Sequence, residues 1–281
     1  MLKWMGRVAL VTGASSGIGA AICEDLVKHG MKVVGAARRE EKMQHHSAPG
    51  KQKPQTTRVK GTELGENSSK DVMNDVEFLC EQWTSSDATY SIKFSCQMQT
   101  LRDGTTEEWR QIIDVNVIAV CLCSKLTVKS IQERGLDVGH IINISSLYIT
   151  YITYFSMAGH QVYPFEQFHF YTGSKFAVRA LSEALRQEIQ AAKSGNKSFG
   201  TQLVVSPGLV KTEVLNNALT DPVLSKMYEN YNSLKSEDIA RTVSQILSAP
   251  PYMEVSKINL LKNLKDPTNT VYSASFYCHY L

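Results

Sequence analysis

Nothing in this sequence constrains its fold more than the first forty residues. A short apolar run, Val8-Ala9-Leu10-Val11, passes into a small-residue turn from Gly13 to Gly19. Ala20 to His29 then repeats its apolar residues at helical spacing. Gly30 stops that helix, and Lys32 to Ala37 reads as a second strand. Strand, turn, helix and strand in this order predict parallel pairing through a right-handed crossover, the unit from which a three-layer α/β/α domain is wound.

The remainder divides unevenly. Residues 43–99 are polar and hold no sustained period, which is unusual inside a compact α/β domain. Val72 to Trp83 is the one helical candidate there. Pattern returns at Thr105, where Thr106 is placed to cap a helix carrying Trp109, Ile112, Ile113, Val117 and Val120 along one side. His140 to Ile144 reads as a strand, Tyr171 to Ala192 as a long amphipathic helix, and Gln202 to Val205 as a strand leading into Ser206-Pro207-Gly208. A last helix is expected at Ser236–Ser248. The reading is a single domain over residues 1–260, with an insertion at 147–155 and a peripheral, patternless tail at 261–281. A chain of 281 residues with 43% hydrophobic content supports one large core.

Composition excludes several classes. The net charge is +3 and no stripe of Lys and Arg lies along one element, which argues against nucleic acid as a partner. Lys51 to Lys60 lacks aromatics and reads as solvated loop. Val8 to Val11 enters a glycine turn rather than a cleavage site. No membrane span is expected: the nearest candidate, Ile141 to Gly159, is broken by Asn143 and several Ser and Thr. A cytoplasmic location is the expectation. The six cysteines form no metal-type pair and read as reduced thiols. His160 and His169 lack a carboxylate or cysteine at ligand spacing, so no metal is expected, and His45-His46 reads as solvent-facing.

Three groups of residues carry chemistry. Gly13, Ser15, Ser16, Gly17, Ile18 and Gly19 lie between a strand and a helix, where small residues let the backbone approach a pyrophosphate and the helix N-terminus offers unpaired N–H groups. At the end of the second strand a carboxylate would bind the adenosine ribose of NAD, but here Ala37 is followed by Arg38 and Arg39. Arginine donates in a planar fork to a 2′-phosphate, so the pattern points to NADP(H). Tyr171 and Lys175 share one face of a helix at i,i+4 spacing. A phenol is a poor acid or base at neutral pH, and a neighbouring ammonium stabilises its phenolate.

Together these residues resemble the short-chain dehydrogenase/reductase family, over roughly 4–41 and 100–260, about seven tenths of the chain. The likeness is greatest to the branch that holds dehydrogenase/reductase member eleven and the insect farnesol dehydrogenases, through VALVTGASSGIGAAI, GHQVYPFEQFHFYTGSKFAVRAL and LRQEI. It implies a Rossmann-type doubly wound domain with a seven-stranded sheet and an Asn-Ser-Tyr-Lys catalytic set. Carried over by motif, Tyr171 is the acid/base, Lys175 its electrostatic partner, and Asn116 the helix asparagine supporting a proton-relay water. Pro207, Gly208, Val210 and Thr212 match the segment that contacts the nicotinamide carboxamide.

The serine is split between two positions. Asn143-Ile-Ser-Ser146 begins the family pattern and Ser156-Met-Ala-Gly159 finishes it, with Leu147 to Phe155 inserted between. Ser156 keeps the family-like separation of 15 residues from Tyr171, whereas Ser146 is 25 away and better continues the strand; Ser156 is favoured. The family's Asn-Asn-Ala-Gly motif is absent, with Ser91 to Met98 in its approximate place, and Asp71-Val72 is a loose match for the adenine-contacting pair. Residues 43–99 read like a shifted frame and 147–155 like retained intervening sequence. The expected activity is hydride transfer between NADP(H) and a small lipophilic alcohol or carbonyl of farnesol, steroid or similar type, in a homodimer or homotetramer. The alternative is a catalytically impaired or non-catalytic nucleotide-binding relative.

Overall fold

A computed structural model describes residues 1–37, 39, 86–91, 100–136, 139–145, 162, 166–192, 201–212, 233–250, 253, 255–262 and 270–276. β1 (Val8–Thr12) leads through the glycine turn into α1 (Gly17–Lys28) and on to β2 (Lys32–Ala36), as the sequence predicts, with the helix opening three residues early. β3 (Ser86–Ser91) follows. α2 (Thr106–Ile113), a π-type turn (Asp114–Ile118) and α3 (Ala119–Glu133) run on as one helix. β4 (His140–Ile144), α4 (His169–Ala191), β5 (Thr201–Pro207), α5 (Ser236–Ser248), β6 (Val255–Lys262) and β7 (Thr270–Phe276) complete the order.

The seven strands form one sheet in the order β2-β1-β3-β4-β5-β6-β7. Pairing is parallel from β2 to β6, and β7 is antiparallel to β6. The doubly wound parallel sheet expected from sequence is present, with one antiparallel strand added at its β7 edge. Residues 270–276, within the stretch read from sequence as a patternless tail, form that edge strand. Its signal was hidden because an edge strand needs only one partner and carries no continuous apolar run. β3 likewise lies inside the stretch 43–99; Val72 to Trp83, the helix candidate there, lies outside the described residues.

Alternation along β4 separates the layers. Ile142 and Ile144 join a core with Ile22 and Leu26 of α1 and Ile239, Val243 and Leu247 of α5. Asn143, between them, donates from Nδ2 to Ser182 Oγ of α4 at 2.9 Å. Successive strand residues face opposite sides, so α1 and α5 cover one face and α4 the other, which gives the three-layer α/β/α fold.

Local chemistry sets the element ends. Thr105, not Thr106, is the N-cap of α2: its hydroxyl accepts from Glu108 N at 3.3 Å, and Glu108 Oε2 accepts from Thr105 N at 3.0 Å. This reciprocal pair satisfies two donors that a helix start leaves open. The stretch Ile141 to Gly159 lies largely outside the described residues; among the described residues, the one helix long and apolar enough to cross a membrane, by length and composition, is Thr106–Glu133. In this fold it packs against β3, and its buried residues include the polar Asn116, Ser124 and Thr127. At the opposite end of the sheet Trp4 is fully buried, donates to the Leu247 carbonyl at 2.7 Å, and meets the His140 ring edge-on at 5.5 Å.

Candidate active site

β1 connects outward to β2 on one side, while β3 pairs with β1 on the other. This reversal makes the carboxyl ends of β1 and β3 a topological switch point, where open α/β sheets bind ligands. The glycine turn sits there. Gly13 and Gly17 take φ of 71° and 57°, conformations that cost a side chain heavily. Gly13 N donates to the Ala36 carbonyl at 2.8 Å, which ties the turn to the end of β2. A Cβ at Gly19 would drive into the Gly13 carbonyl and lie 2.7 Å from its carbon. Helix and strand can therefore meet this closely only if position 19 is glycine.

Ser16 is the N-cap of α1, but its hydroxyl makes no capping bond to the helix. Its Oγ instead accepts from Arg39 Nη2 at 2.7 Å. The first N–H groups of α1 therefore have no cap side chain, and a guanidinium stands beside them. Ser15 and Ile18 are buried, and a Cβ at Gly17 would meet Thr212 Cγ2 at 3.1 Å. Thr212 thus arches over the turn from the end of β5. Its segment starts at Pro207, Gly208 N donates to Leu260 O at 2.8 Å, and Val210 is buried and bridges Leu234. Arg38, the other half of the predicted phosphate reader, lies outside the described residues.

The second half of the site lies at the carboxyl end of β4. α4 begins at His169, so Tyr171 falls in its first turn. Tyr171, Ser174, Lys175, Val178 and Ser182 form one buried stripe at positions that recur every three or four residues. Tyr171 is 7% exposed and Lys175 only 3%. Lys175 Nζ stands 5.6 Å from the centre of the Tyr171 ring and donates to the Ile144 carbonyl at 3.4 Å. A buried ammonium beside a phenol favours the phenolate, because charge interactions strengthen away from water.

Asn116 is fully buried in the π turn, and its Nδ2 donates to Ser174 Oγ at 3.0 Å. Motif matching placed Asn116 near this centre but did not reveal Ser174 as its neighbour. Single-turn π-bulges mark functional sites often enough to make the turn informative in itself. Ser145, the residue after β4, is also buried, with its N–H donating to Val205 O at 2.8 Å and its hydroxyl without a hydrogen-bond partner. The sequence reading weighed Ser146 and Ser156 instead; both lie outside the described residues. Burial pushes the Cys23 thiol up to about 12, with Glu24 adding to it, so this cysteine is no nucleophile at neutral pH. Among the described residues no three His, Cys, Asp or Glu side chains gather as metal ligands.

The residues present fit a dinucleotide: positive-φ glycines, an uncapped helix start, and the Arg39 guanidinium held beside it by Ser16. Comparison with known proteins agrees. The short chain dehydrogenase family profile matches residues 7–222. Dehydrogenase/reductase SDR family member 11 of Gallus gallus is 38% identical over 269 residues, covering 92% of this chain and 97% of that protein. Farnesol dehydrogenase of Aedes aegypti is 35% identical over 263 residues, covering 92% and 97%. The closed form of serine dehydrogenase complexed with NADP+ shares the fold, with a TM-score of 0.69 at 23% identity over 90% of this chain and 94% of that one. A glycine turn at the switch point and a Tyr-Lys pair at the head of α4, in a chain with these relatives, establish that it belongs to the short-chain dehydrogenase family.

Proposed function

We propose that the chain is an NADP(H)-dependent oxidoreductase interconverting an alcohol and a carbonyl on a small lipophilic substrate. The carrying observation is the burial of Tyr171 and Lys175 together at the carboxyl end of β4, two strands from the glycine turn. NADP(H), when bound, supplies the hydride chemistry at its nicotinamide. Gly13, Ser15, Ser16, Gly17, Ile18 and Gly19 hold the pyrophosphate side. Arg39, joined by Arg38, takes the 2′-phosphate, and Pro207, Gly208, Val210 and Thr212 border the nicotinamide.

The protein's own task is to orient the substrate oxygen and to move one proton. Tyr171 Oη gives that proton to a nascent alkoxide in reduction and takes it back in oxidation. Lys175 holds the phenolate form in reach at neutral pH. Asn116 supports the proton path, and Ser156, by its spacing, polarises the carbonyl. The farnesol dehydrogenase name of one relative supports an isoprenoid or similarly apolar alcohol as substrate.

The interruption between Ser146 and Ser156 favours a second reading, a nucleotide binder without turnover. The two are separated by titrating NADPH fluorescence and assaying farnesol oxidation and diketone reduction. Tyr171→Phe should lower turnover by roughly a thousandfold, within the span general acid-base groups supply, and leave NADPH affinity within twofold. Wild-type binding without turnover selects the binder; turnover persisting in Tyr171→Phe refutes the role given to the phenol.

A further inference from the structure

Between Tyr171 and Lys175 lies a residue to which the proposed reaction assigns nothing. Ser174 is 1% exposed, and its Oγ donates to the Tyr171 carbonyl at 2.6 Å. Back-bonding of this kind, from a helical serine to a carbonyl one turn earlier, is common and by itself only bends a helix slightly. Here the hydroxyl also accepts from Asn116 Nδ2, 58 residues earlier in the chain, at 3.0 Å. A hydroxyl has one proton and can otherwise rotate. With the Asn116 amide donating into its lone pair, that proton is directed to the Tyr171 carbonyl, and the two bonds polarise one another.

The next residue is anchored in another direction. Lys175 Nζ donates to the Ile144 carbonyl at the end of β4. Consecutive residues of one helical turn are therefore fixed to two separate bodies: Ser174 to the π turn, Lys175 to the sheet. The backbone that carries the phenol is held from both sides. The Ser174 link works together with the stacking of Phe170 on Trp109, ring centres 5.3 Å apart, to hold the head of α4 on the side away from the sheet contact.

We propose that Ser174 is a positioning residue, which transmits the place of Asn116 to Tyr171 and so sets the phenol against Lys175 and the substrate oxygen. The proposal rests on the reading of Tyr171 as the proton-transfer group. It also gives Asn116 a second duty, exerted through Ser174.

Four variants test it: Ser174→Ala, Ser174→Thr, Asn116→Ala, and the double alanine variant. A small displacement of a reacting group costs up to about a hundredfold, so Ser174→Ala should lose roughly ten- to a hundredfold in kcat. KM and NADPH affinity should stay within twofold, and Ser174→Thr, which keeps the hydroxyl, should recover most of the loss. The double variant should be no worse than Asn116→Ala by more than about twofold, since contacting residues on one path are not additive. A second measurement needs no turnover. The phenolate absorbance of Tyr171, isolated among the 12 tyrosines by subtracting the Tyr171→Phe spectrum, should appear at higher pH in Ser174→Ala than in the wild type. An unchanged absorbance curve overturns the proposal even if the chain turns nothing over. So does a kcat within twofold of wild type, or a loss matched by equal losses in NADPH affinity and melting temperature. Full activity in Tyr171→Phe strikes the underlying reading instead.

Discussion

The glycine turn and the head of α4 lie at the same end of the sheet, two strands apart, and are made of opposite materials. The turn works through what its residues lack. Gly19 leaves room for the Gly13 carbonyl, Gly13 and Gly17 adopt positive φ, and the start of α1 has no side-chain cap. The head of α4 works through what its residues bring: a phenol, an ammonium and a hydroxyl, all buried, with the amide of Asn116 in the π turn donating to that hydroxyl. A surface built from backbone fails when an atom is added. One built from side chains fails when a proton or charge is removed, even if every atom still fits.

The largest effect is expected from adding one atom to the turn. In Gly19→Ala the new Cβ meets the carbonyl group of Gly13 and, at 3.2 Å, the Ala14 nitrogen, which are backbone and cannot rotate away. Overpacking of this kind costs up to about 3 kcal/mol, and the turn that relieves it is no longer shaped for a pyrophosphate. Melting temperature and NADPH affinity should fall together. A variant that melts normally and binds NADPH normally would show that the two regions do not differ as described.

Lys175→Met reverses that outcome. Methionine has about the length of the lysine stem and removes a charge that is 3% exposed and costly to bury. Melting temperature should hold or rise, while turnover falls about a hundredfold for want of the ammonium beside the phenol. A fall in stability matching the fall in turnover would mean that Lys175 is chiefly a structural anchor for Ile144.

Arg39→Ala is the milder probe of the turn. Its guanidinium lies against Ser16, and one charge-assisted hydrogen bond contributes about 2 kcal/mol. NADPH affinity should drop roughly tenfold or somewhat more with NADH affinity unchanged, measured by fluorescence titration. Equal losses for both cofactors would dissociate Arg39 from the 2′-phosphate.

The two regions also differ in how far the sequence revealed them. The turn was legible because its information is local: strand, glycines and helix follow one another, and the spacing that carries the chemistry is the spacing that folds. Tyr171 and Lys175 were legible for the same reason, one turn apart on one helix. Ser174 was written between them and still passed over, because its meaning depends on Asn116, which only the fold brings near. Asn116 in turn owes its placement to a π turn, and a five-residue change of helical pitch leaves no periodic trace. β3 and β7 were obscured for a different reason. Ser86–Ser91 and Thr270–Phe276 are rich in Ser and Thr, and their order comes from neighbours already in the sheet rather than from their own apolar pattern.

The smallest expected effect comes from acid, and it touches the sheet rather than either region. His140 begins β4, the strand whose other end meets Lys175. Burial pushes its imidazole down to about 4, with the charge of Lys3 adding to the shift and the Gly139 carbonyl opposing it. The unfolded chain therefore takes up a proton near pH 6.5 that the folded chain refuses until about pH 4. The stability this contributes is complete above pH 6.5 and is lost as pH falls towards 4. His140 is only partly buried as a residue, so the loss stays below what the full separation would give, on the order of 1 kcal/mol between pH 7 and 5.5. Because Trp4 and His140 support the far end of the sheet, away from both regions, this loss should appear in the melting temperature, with NADPH affinity and turnover unaffected by it while the chain stays folded. His140→Gln should flatten the melting temperature over that range and leave whatever pH dependence of turnover belongs to the head of α4. If the melting curve of His140→Gln keeps the acid slope of the wild type, the proton is taken up elsewhere than at the start of β4.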